Sequence, residues 1–339
     1  MSDTPADDTS RREFLHAGIS ITAAAAVGGA ASGADETGMP VRALGKTGVK
    51  VSALCLGGWH IGNIKEEADS IKLMHAALDE GITFWDNAWD YHDGKSEEWM
   101  GKALSQGGRR QKVFLMTKNC ARDAKGTRQH LEDSLKRLKT DVIDLWQFHE
   151  INYDNDPEWI VEKGALAEAL KAQKEGKVRF IGFTGHKDPS IHLSMLPKHT
   201  WDTVQMPINV CDHFYRSFAS KVVPEVNKVG AAAIGMKSLG GGALPAGGKI
   251  VAAKVATVEE CLRYALSQPI ASLVSGIDTM DVLKQNVKIA RAFKPLAGDE
   301  LAALLAKVKG ESGDGRHEAF KSQTQFDGPY HRKQHGFEA

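Results

Sequence analysis

Short apolar or β-branched runs alternate with longer segments whose apolar residues recur at helical spacing, from residue 51 to residue 293. Residues 51–56 are the first apolar run. Residues 66–80 then place Met74 and Leu78 on one helical face, and Gly81 ends that helix. Strands that alternate with helices in this way lie side by side in a parallel sheet. The pattern therefore predicts an α/β fold.

Eight strand–helix units follow one another along the chain. Strands are predicted at residues 51–56, 83–86, 113–117, 142–148, 178–182, 203–206, 231–236 and 271–275. Helices are predicted in seven of the eight units, at residues 66–80, 96–105, 127–139, 164–175, 217–229, 258–267 and 280–293. Eight units within ~250 residues predict a closed (β/α)8 TIM barrel. The alternative is a doubly wound open sheet, which normally carries G-x-G-x-x-G after its first strand when it binds a dinucleotide, and no such match occurs.

The barrel domain is predicted to span residues 39–309, with a short hairpin at its start and a tail after its end. Residues 41–50 place a glycine turn between two short apolar stretches, a pattern that predicts an N-terminal β-hairpin at the bottom of the barrel. Residues 310–339 are polar and are predicted to form a C-terminal tail across the surface. They contain His317, His331 and His335, whose spacing fits no compact ligand set, so no metal site is predicted.

The first 38 residues have the layout of a targeting peptide. Ser10-Arg11-Arg12-Glu13-Phe14-Leu15 provides a twin-arginine pair, residues 17–31 carry no charge, and small residues around Ala31 and Ala34 resemble a cleavage site. This layout predicts recognition by the twin-arginine translocation (Tat) machinery and export to the periplasm. The alternative is a disordered arm with a chance arginine pair.

Charge and composition exclude several classes of function. Lys and Arg number 43, as do Asp and Glu, so the net charge is zero, which argues against nucleic-acid binding as the main task. The sequence contains no run of 18 apolar residues, so no membrane-spanning helix is predicted. The four cysteines form no C-x-x-C pair, and the simplest interpretation is that they are buried thiols.

Four reactive side chains are predicted to meet at one end of the barrel, because the carboxyl ends of barrel strands line a single mouth. Asp86 ends the second predicted strand, and Tyr91 lies in the loop that follows. Lys118 ends the third strand and His149 the fourth. Any one of these residues alone has an ordinary structural role as a turn former, a packed ring or a solvated charge. Their occurrence together on neighbouring strands favours a functional role.

The four residues suit the reduction of a carbonyl group. A free phenol titrates near 10, too high for an efficient acid at neutral pH, so we expect the Lys118 ammonium to lower the pKa of Tyr91. Asp86 can pair with Lys118 and keep it charged. His149 can donate a hydrogen bond to the carbonyl oxygen, on which negative charge grows as hydride arrives.

Several motifs together resemble the aldo/keto reductase family over residues 41–295. They are Leu44-Gly45-Lys46-Thr47-Gly48 with Val51-Ser52, Asp86-x4-Tyr91, Thr117-Lys118, Asp144-Leu145-x2-Phe148-His149, Gly176-Lys177-Val178-Arg179-x-Ile181-Gly182, Gln205-x3-Asn209 and Leu239-Gly240-x-Gly242. The resemblance implies a (β/α)8 barrel, a nicotinamide cofactor extended across the mouth, and Tyr91 as proton donor to the carbonyl oxygen.

The resemblance also implies where the cofactor binds. Residues carried over to that site are Thr184, Gln205, Met236, Lys237, Leu239, Gly242, Gly276, Asp278 and Asn286. Thr184 stands beside the place where the family often has Asn, and Met236 stands where an aromatic ring usually stacks on the nicotinamide. The family implies NADP(H). The alternative is NAD(H), because Asp278 would repel a 2′-phosphate and could accept a hydrogen bond from a 2′-hydroxyl.

Substrate selection is predicted to involve four rings near the strand ends, Trp59, Trp89, His92 and Phe148. Their alternative role is to pack the loops over the barrel. An aromatic rim suits a planar or sugar-ring carbonyl compound, which makes a small-molecule aldehyde, ketone or alcohol the predicted substrate. Two alternatives to the enzyme remain: a nicotinamide-binding sensor with little turnover, and a different barrel enzyme such as a sugar isomerase or metal-dependent hydrolase.

Overall fold

Eight parallel strands close into a barrel in this computed structural model, which describes residues 33–241 and 248–337. The described strands are β1 (Gly33–Ala34), β2 (Pro40–Ala43), β3 (Lys50–Ser52), β4 (Leu54–Gly57), β5 (Phe84–Asp86), β6 (Phe114–Asn119), β7 (Ile143–Phe148), β8 (Val178–Thr184), β9 (Thr203–Pro207), β10 (Ala232–Met236) and β11 (Ser272–Ser275). Strands β4 to β11 follow one another around the barrel in chain order, and β11 pairs with β4 to close it. The predicted (β/α)8 barrel is confirmed.

The helices surround the barrel. They are α1 (Gly58–Gly62), α2 (Glu67–Asp79), α3 (Lys95–Leu104), α4 (Ala124–Leu138), α5 (Asp156–Glu162), α6 (Ala165–Lys174), α7 (Pro189–Met195), α8 (Phe218–Lys221), α9 (Val223–Lys228), α10 (Lys249–Ala252), α11 (Val258–Ser267), α12 (Met280–Arg291), α13 (Gly298–Ser312), α14 (Ala319–Ser322) and α15 (Pro329–Gln334). No helix in the described ranges is long and apolar enough to cross a membrane.

Two predicted elements are divided in the structure. The apolar run 51–56 splits into β3 and β4, because the Ser52 hydroxyl accepts hydrogen bonds from the backbone of Thr83 and Phe84 and turns the chain there. The predicted helix 217–229 is two short helices, α8 and α9. Pro224 lies in the first turn of α9, where its missing N–H cannot continue the preceding helix.

The predicted hairpin is part of a three-stranded antiparallel sheet at the amino end of the barrel. Val41 pairs with Ser52 and Ala43 with Lys50. The backbone of Gly45 is left-handed (φ 54°), and a β-carbon there would lie 2.7 Å from the carbonyl oxygen of Gly230. Only glycine fits this close approach. The hairpin places Leu44 and Val51 among barrel side chains in one apolar cluster, which closes the bottom of the barrel.

The first and last described residues are held by contacts with the rest of the fold. Of the predicted export signal (residues 1–38), residues 1–32 lie outside the described residues. Residues 33–38 are described, and Gly33 and Ala34 form β1, which pairs with β2. Residues 310–337 contain the end of α13 together with α14 and α15, and several of their polar side chains are buried. Lys321 is fully buried and its Nζ lies 2.7 Å from Oδ1 of Asp212. The C-terminal residues are therefore fixed to the barrel by buried polar contacts.

Candidate active site

A buried ion pair joins the ends of strands β5 and β6. Asp86 is the last residue of β5, and Lys118 lies near the end of β6. The Nζ atom of Lys118 donates to Oδ1 of Asp86 at 2.5 Å and to the carbonyl oxygen of Asn87 at 2.6 Å. Burial raises the pKa of the Asp86 carboxyl, and Lys118 opposes this shift. The two strand ends thus hold an ammonium in a fixed position.

Tyr91 lies beside this ammonium. Lys118 Nζ lies 3.4 Å from the Tyr91 hydroxyl oxygen and 4.8 Å from the centre of its ring. The loop turns sharply after Tyr91, because His92 (φ 53°) and Asp93 (φ 56°) are both left-handed without being glycine. The Nε2 atom of His92 lies 2.8 Å from the carbonyl oxygen of Trp59, which fixes the turn against the neighbouring loop.

The environment of Tyr91 favours its neutral form. Burial, followed by the negative charges of Asp86 and Asp90, raises the pKa of Tyr91 well above its ordinary value. The expected lowering of this pKa by Lys118 is wrong, because the ammonium is already paired with Asp86 and carboxylates surround the phenol. These surroundings therefore disfavour a phenolate at position 91.

His149 completes the predicted set at the end of β7. Its Nδ1 atom lies 3.0 Å from Oδ1 of Asp90 and 3.5 Å from Sγ of Cys120, and its ring centre lies 5.5 Å from that of Tyr91. Burial lowers the pKa of His149, while Asp90 opposes this shift. The pKa of Asp90 stays below its ordinary value because the nearby His149 outweighs the effect of burial. His149 Nδ1 and the Asp90 carboxylate therefore lie within hydrogen-bonding distance of each other.

Two hydrogen-bonded glutamines lie inside the barrel, next to Met236. Gln147 Nε2 donates to Oε1 of Gln205 at 3.2 Å, and Gln205 Nε2 lies 3.5 Å from Sδ of Met236. The Oε1 atom of Gln147 is buried without a hydrogen-bond partner. A free acceptor and an amide donor that contacts only sulfur match the two halves of a carboxamide. Gln147 was not predicted, although its position two residues before His149 places it on the same face of β7.

The loop after β11 and the following helix α12 offer a second set of unpartnered polar atoms. Asn286 Nδ2 donates to the hydroxyl of Ser275 at 2.9 Å, but Asn286 Oδ1 and Asp278 Oδ1 have no hydrogen-bond partner. A β-carbon added to Gly276 would lie 2.2 Å from Cε1 of His60, so this glycine lets the imidazole lie against the loop backbone. Burial raises the pKa of Asp278. These residues fit a polar ligand that extends across the mouth.

The remaining residues predicted to bind the cofactor are Lys237, Thr184, Leu239 and Gly242. Lys237 is left-handed (φ 57°), and its Nζ lies 5.6 Å and 5.5 Å from the ring centres of Phe320 and Phe326. Burial lowers its pKa. Lys237 therefore contacts the C-terminal segment as well as the mouth. Thr184 is buried at the end of β8, Leu239 lies in the loop after β10, and Gly242 lies outside the described residues.

The four predicted substrate rings separate in the structure. Trp59 is 47% exposed, and its ring centre lies 5.4 Å from that of Tyr91 and 4.4 Å from that of His92. Trp89 instead stacks on His130 of α4 at 3.6 Å. Phe148 is buried in the apolar layer between strands and helices, contrary to the prediction, because neighbouring residues of a strand point to opposite faces. Trp59 and His92 thus remain beside the phenol.

Comparison with known proteins gives this geometry a family. A sequence profile described as "Aldo/keto reductase family" matches residues 53–250. The oxidoreductase YrpG of Bacillus subtilis is 34% identical over 238 residues, which cover 63% of this chain and 70% of YrpG. L-galactose dehydrogenase of Arabidopsis thaliana is 27% identical over 80% of this chain and 96% of its own length. The holo form of aldo-keto reductase AKR11C1 from Bacillus halodurans superposes with a TM-score of 0.68 at 25% identity, covering 83% of this chain and 99% of that chain. The chain therefore belongs to the aldo/keto reductase family of oxidoreductases.

Proposed function

We propose that this protein interconverts an aldehyde or ketone with an alcohol, with Tyr91 as the general acid and base. One observation carries the proposal: the Tyr91 hydroxyl lies 3.4 Å from an ammonium that is itself held by Asp86. Aldo/keto reductases are NAD(P)-dependent, and bound NAD(P)H supplies the hydride. The residues of this chain supply the proton and hold the oxygen.

The direction of the Tyr91 pKa shift suits a late proton transfer. Burial and nearby carboxylates keep the phenol protonated before reaction. As the carbonyl carbon gains a hydride, its oxygen becomes an alkoxide, which is a much stronger base than the carbonyl. Because the alkoxide is the stronger base, the Tyr91 proton then moves to this oxygen, and the resulting phenolate lies next to the Lys118 ammonium. The alcohol product forms, and solvent returns a proton to Tyr91.

NADP(H) is the cofactor that we propose, on the basis of the family. Gln147, Gln205 and Met236 would hold the nicotinamide end, while Asn286 and Asp278 would hold the far end. The Asp278 carboxylate favours the alternative, NAD(H), because it repels a 2′-phosphate. A fluorescence titration of each reduced cofactor tests the choice. Tighter binding of NADPH supports it, and equal or tighter binding of NADH overturns it.

We propose that the Tat machinery exports this protein to the periplasm, on the basis of the paired arginines at positions 11 and 12. Because a free pool of reduced nicotinamide is not expected there, we also propose that the cofactor is loaded before export. Protein purified from the periplasm should release nicotinamide only on denaturation. Purification as a cofactor-free protein would contradict loading, and cytoplasmic retention of the full chain would contradict export.

Turnover of a panel of carbonyl compounds tests the reductase proposal. The similarity to L-galactose dehydrogenase over 80% of the chain supports including aldoses beside simple aldehydes and ketones. We expect NAD(P)H oxidation with at least one member, and loss of that activity in Tyr91→Phe. Tight cofactor binding with no turnover across the panel would instead favour the sensor.

A further inference from the structure

Four potential metal ligands meet at the edge of the mouth. Asp90 lies in the loop after β5, Cys120 follows β6, His149 follows β7, and His331 lies on α15. One ligand atom from each residue lies within 4.8 Å of those of the other three. The spacing of His317, His331 and His335 along the chain predicted no metal site. The structure explains why, since only His331 of these histidines joins the cluster and the other three ligands come from distant segments.

His331 is the residue that hydrogen bonding leaves unexplained. Its side chain is 0% exposed, yet neither ring nitrogen has a hydrogen-bond partner. A buried polar group without a partner costs about 1–3 kcal/mol. Its Nε2 atom lies 3.9 Å from Oε2 of Glu150, beyond hydrogen-bond distance, and its ring centre lies 5.3 Å from that of His149.

Neighbouring contacts hold His331 in this position. The backbone N–H of Gly328 donates to Oε2 of Glu150 at 3.0 Å, and Gln334 Nε2 donates to the carbonyl oxygen of Cys120 at 3.3 Å. His335 Nε2 lies 3.0 Å from Oδ1 of Asp156. Contacts on both sides of His331 thus fix α15 against the ends of β6 and β7, and an imidazole with free lone-pair capacity is delivered to the cluster.

We propose that Asp90, Cys120, His149 and His331 bind one Zn²⁺ ion. A thiolate, two imidazoles and a carboxylate form a set that suits zinc, whereas Ca²⁺ and Mg²⁺ prefer oxygen ligands. Zinc bonds of about 2.0–2.3 Å in a tetrahedron place ligand atoms roughly 3.3–3.8 Å apart. His149 Nδ1 lies 3.0 Å from Asp90 Oδ1 and 3.5 Å from Cys120 Sγ, so small side-chain movements bring the set to that geometry.

Zinc would join the C-terminal segment to the barrel mouth. His331 is the ligand from α15, and the other three belong to the loops after β5, β6 and β7. On binding, the Cys120 thiol releases its proton to solvent, and the Nδ1 lone pair of His149 coordinates the metal. The proton of a neutral His149 is then on Nε2, which makes that nitrogen a donor. This consequence for a substrate oxygen rests on the proposed function, but the metal site itself does not.

Metal titration of the untagged protein tests the proposal. The full chain is stripped with a chelator under reducing conditions and titrated with Co²⁺ and then Zn²⁺. We expect one equivalent of Co²⁺ to give a thiolate-to-cobalt charge-transfer band that one equivalent of Zn²⁺ removes. Cys120→Ser should abolish the band. The control is Cys261→Ser, which replaces a buried cysteine on α11 outside the cluster and should retain the band.

His331→Ala tests the ligand from the C-terminal segment. We expect its Co²⁺ affinity to fall at least about tenfold, whereas Lys333→Gln, at an exposed position of the same helix, should keep wild-type affinity. Circular dichroism confirms that each variant is folded before titration. No charge-transfer band in the wild-type protein, or equal Co²⁺ affinities of wild type and a folded His331→Ala, would overturn the proposal. Neither readout depends on turnover, so failure of the reductase proposal would leave the titration unchanged.

Discussion

Replacing Lys118 with methionine removes one half of an ion pair that is closed off from water. Lys118 is 1% exposed and Asp86 2%, and their charged atoms lie 2.5 Å apart. Loss of one partner from a buried pair leaves an uncompensated charge and typically costs about 3–5 kcal/mol, which is roughly two to four powers of ten in the unfolding constant. We therefore expect Lys118→Met to lower the free energy of unfolding by about 3–5 kcal/mol.

Removing the second charge should recover part of this loss. In the double variant Asp86→Asn/Lys118→Met no buried charge is left without a partner. We expect it to be more stable than the sum of the two single losses predicts, by about 1–3 kcal/mol. The difference measures the coupling between the two groups, separately from the packing that methionine changes.

Urea unfolding near neutral pH, followed by tryptophan fluorescence and far-UV circular dichroism, measures each of these values. Lys198→Met is the matched control, because Lys198 pairs with Glu158 at 2.8 Å while both side chains are 33% or more exposed. An exposed pair contributes only about 0–1 kcal/mol. A Lys118→Met loss no larger than that of Lys198→Met, or full additivity in the double variant, would refute the account of the buried pair.

Three further substitutions test other parts of the structure. Burial lowers the pKa of His192 to about 4, whereas a histidine of the unfolded chain has a pKa near 6.5, so between these pH values the unfolded chain binds the proton more readily. Lowering the pH to 4 should therefore reduce the free energy of unfolding by up to about 3 kcal/mol. Urea unfolding at several pH values should show a smaller reduction in His192→Gln. Gly101→Ala should cost about 1–3 kcal/mol in urea unfolding, because its β-carbon would lie 2.1 Å from the carbonyl oxygen of Arg137, while Gly310→Ala meets nothing within 4 Å and should cost nothing. Asp278→Asn should strengthen NADPH binding relative to NADH severalfold in a fluorescence titration; an unchanged ratio would contradict a role of this carboxylate in cofactor choice.

Strand and helix order could be predicted because hydrophobic period and glycine stops mark each unit locally. The helix predicted at residues 258–267 is α11 with the same bounds, since Thr257 and Glu260 form a capping box that fixes its start. The division of the first strand could not be predicted. It depends on Ser52 bonding to residues 31 and 32 positions away, and no local pattern in 51–56 reveals that contact.

The site shows the same contrast between local and long-range information. Strand ends place Asp86, Lys118 and His149 at one mouth, as the fold class implies. The period of two along β7 also contained the signal that Phe148 faces away from the mouth and Gln147 towards the barrel interior. The pKa direction of Tyr91 was not accessible, because it depends on burial and on how many carboxylates surround the phenol. The meeting of His331 with Asp90, Cys120 and His149 depends on how the C-terminal residues cross the mouth.

The single-turnover rate of NAD(P)H oxidation in Tyr91→Phe, beside wild type, tests the central claim most directly. The phenylalanine ring keeps the packing against Trp59 but has no proton to give to the alkoxide. The account predicts a rate lower by about 10²–10⁴-fold, with cofactor affinity unchanged. A rate within a few-fold of wild type would contradict the assignment of Tyr91 as the proton donor.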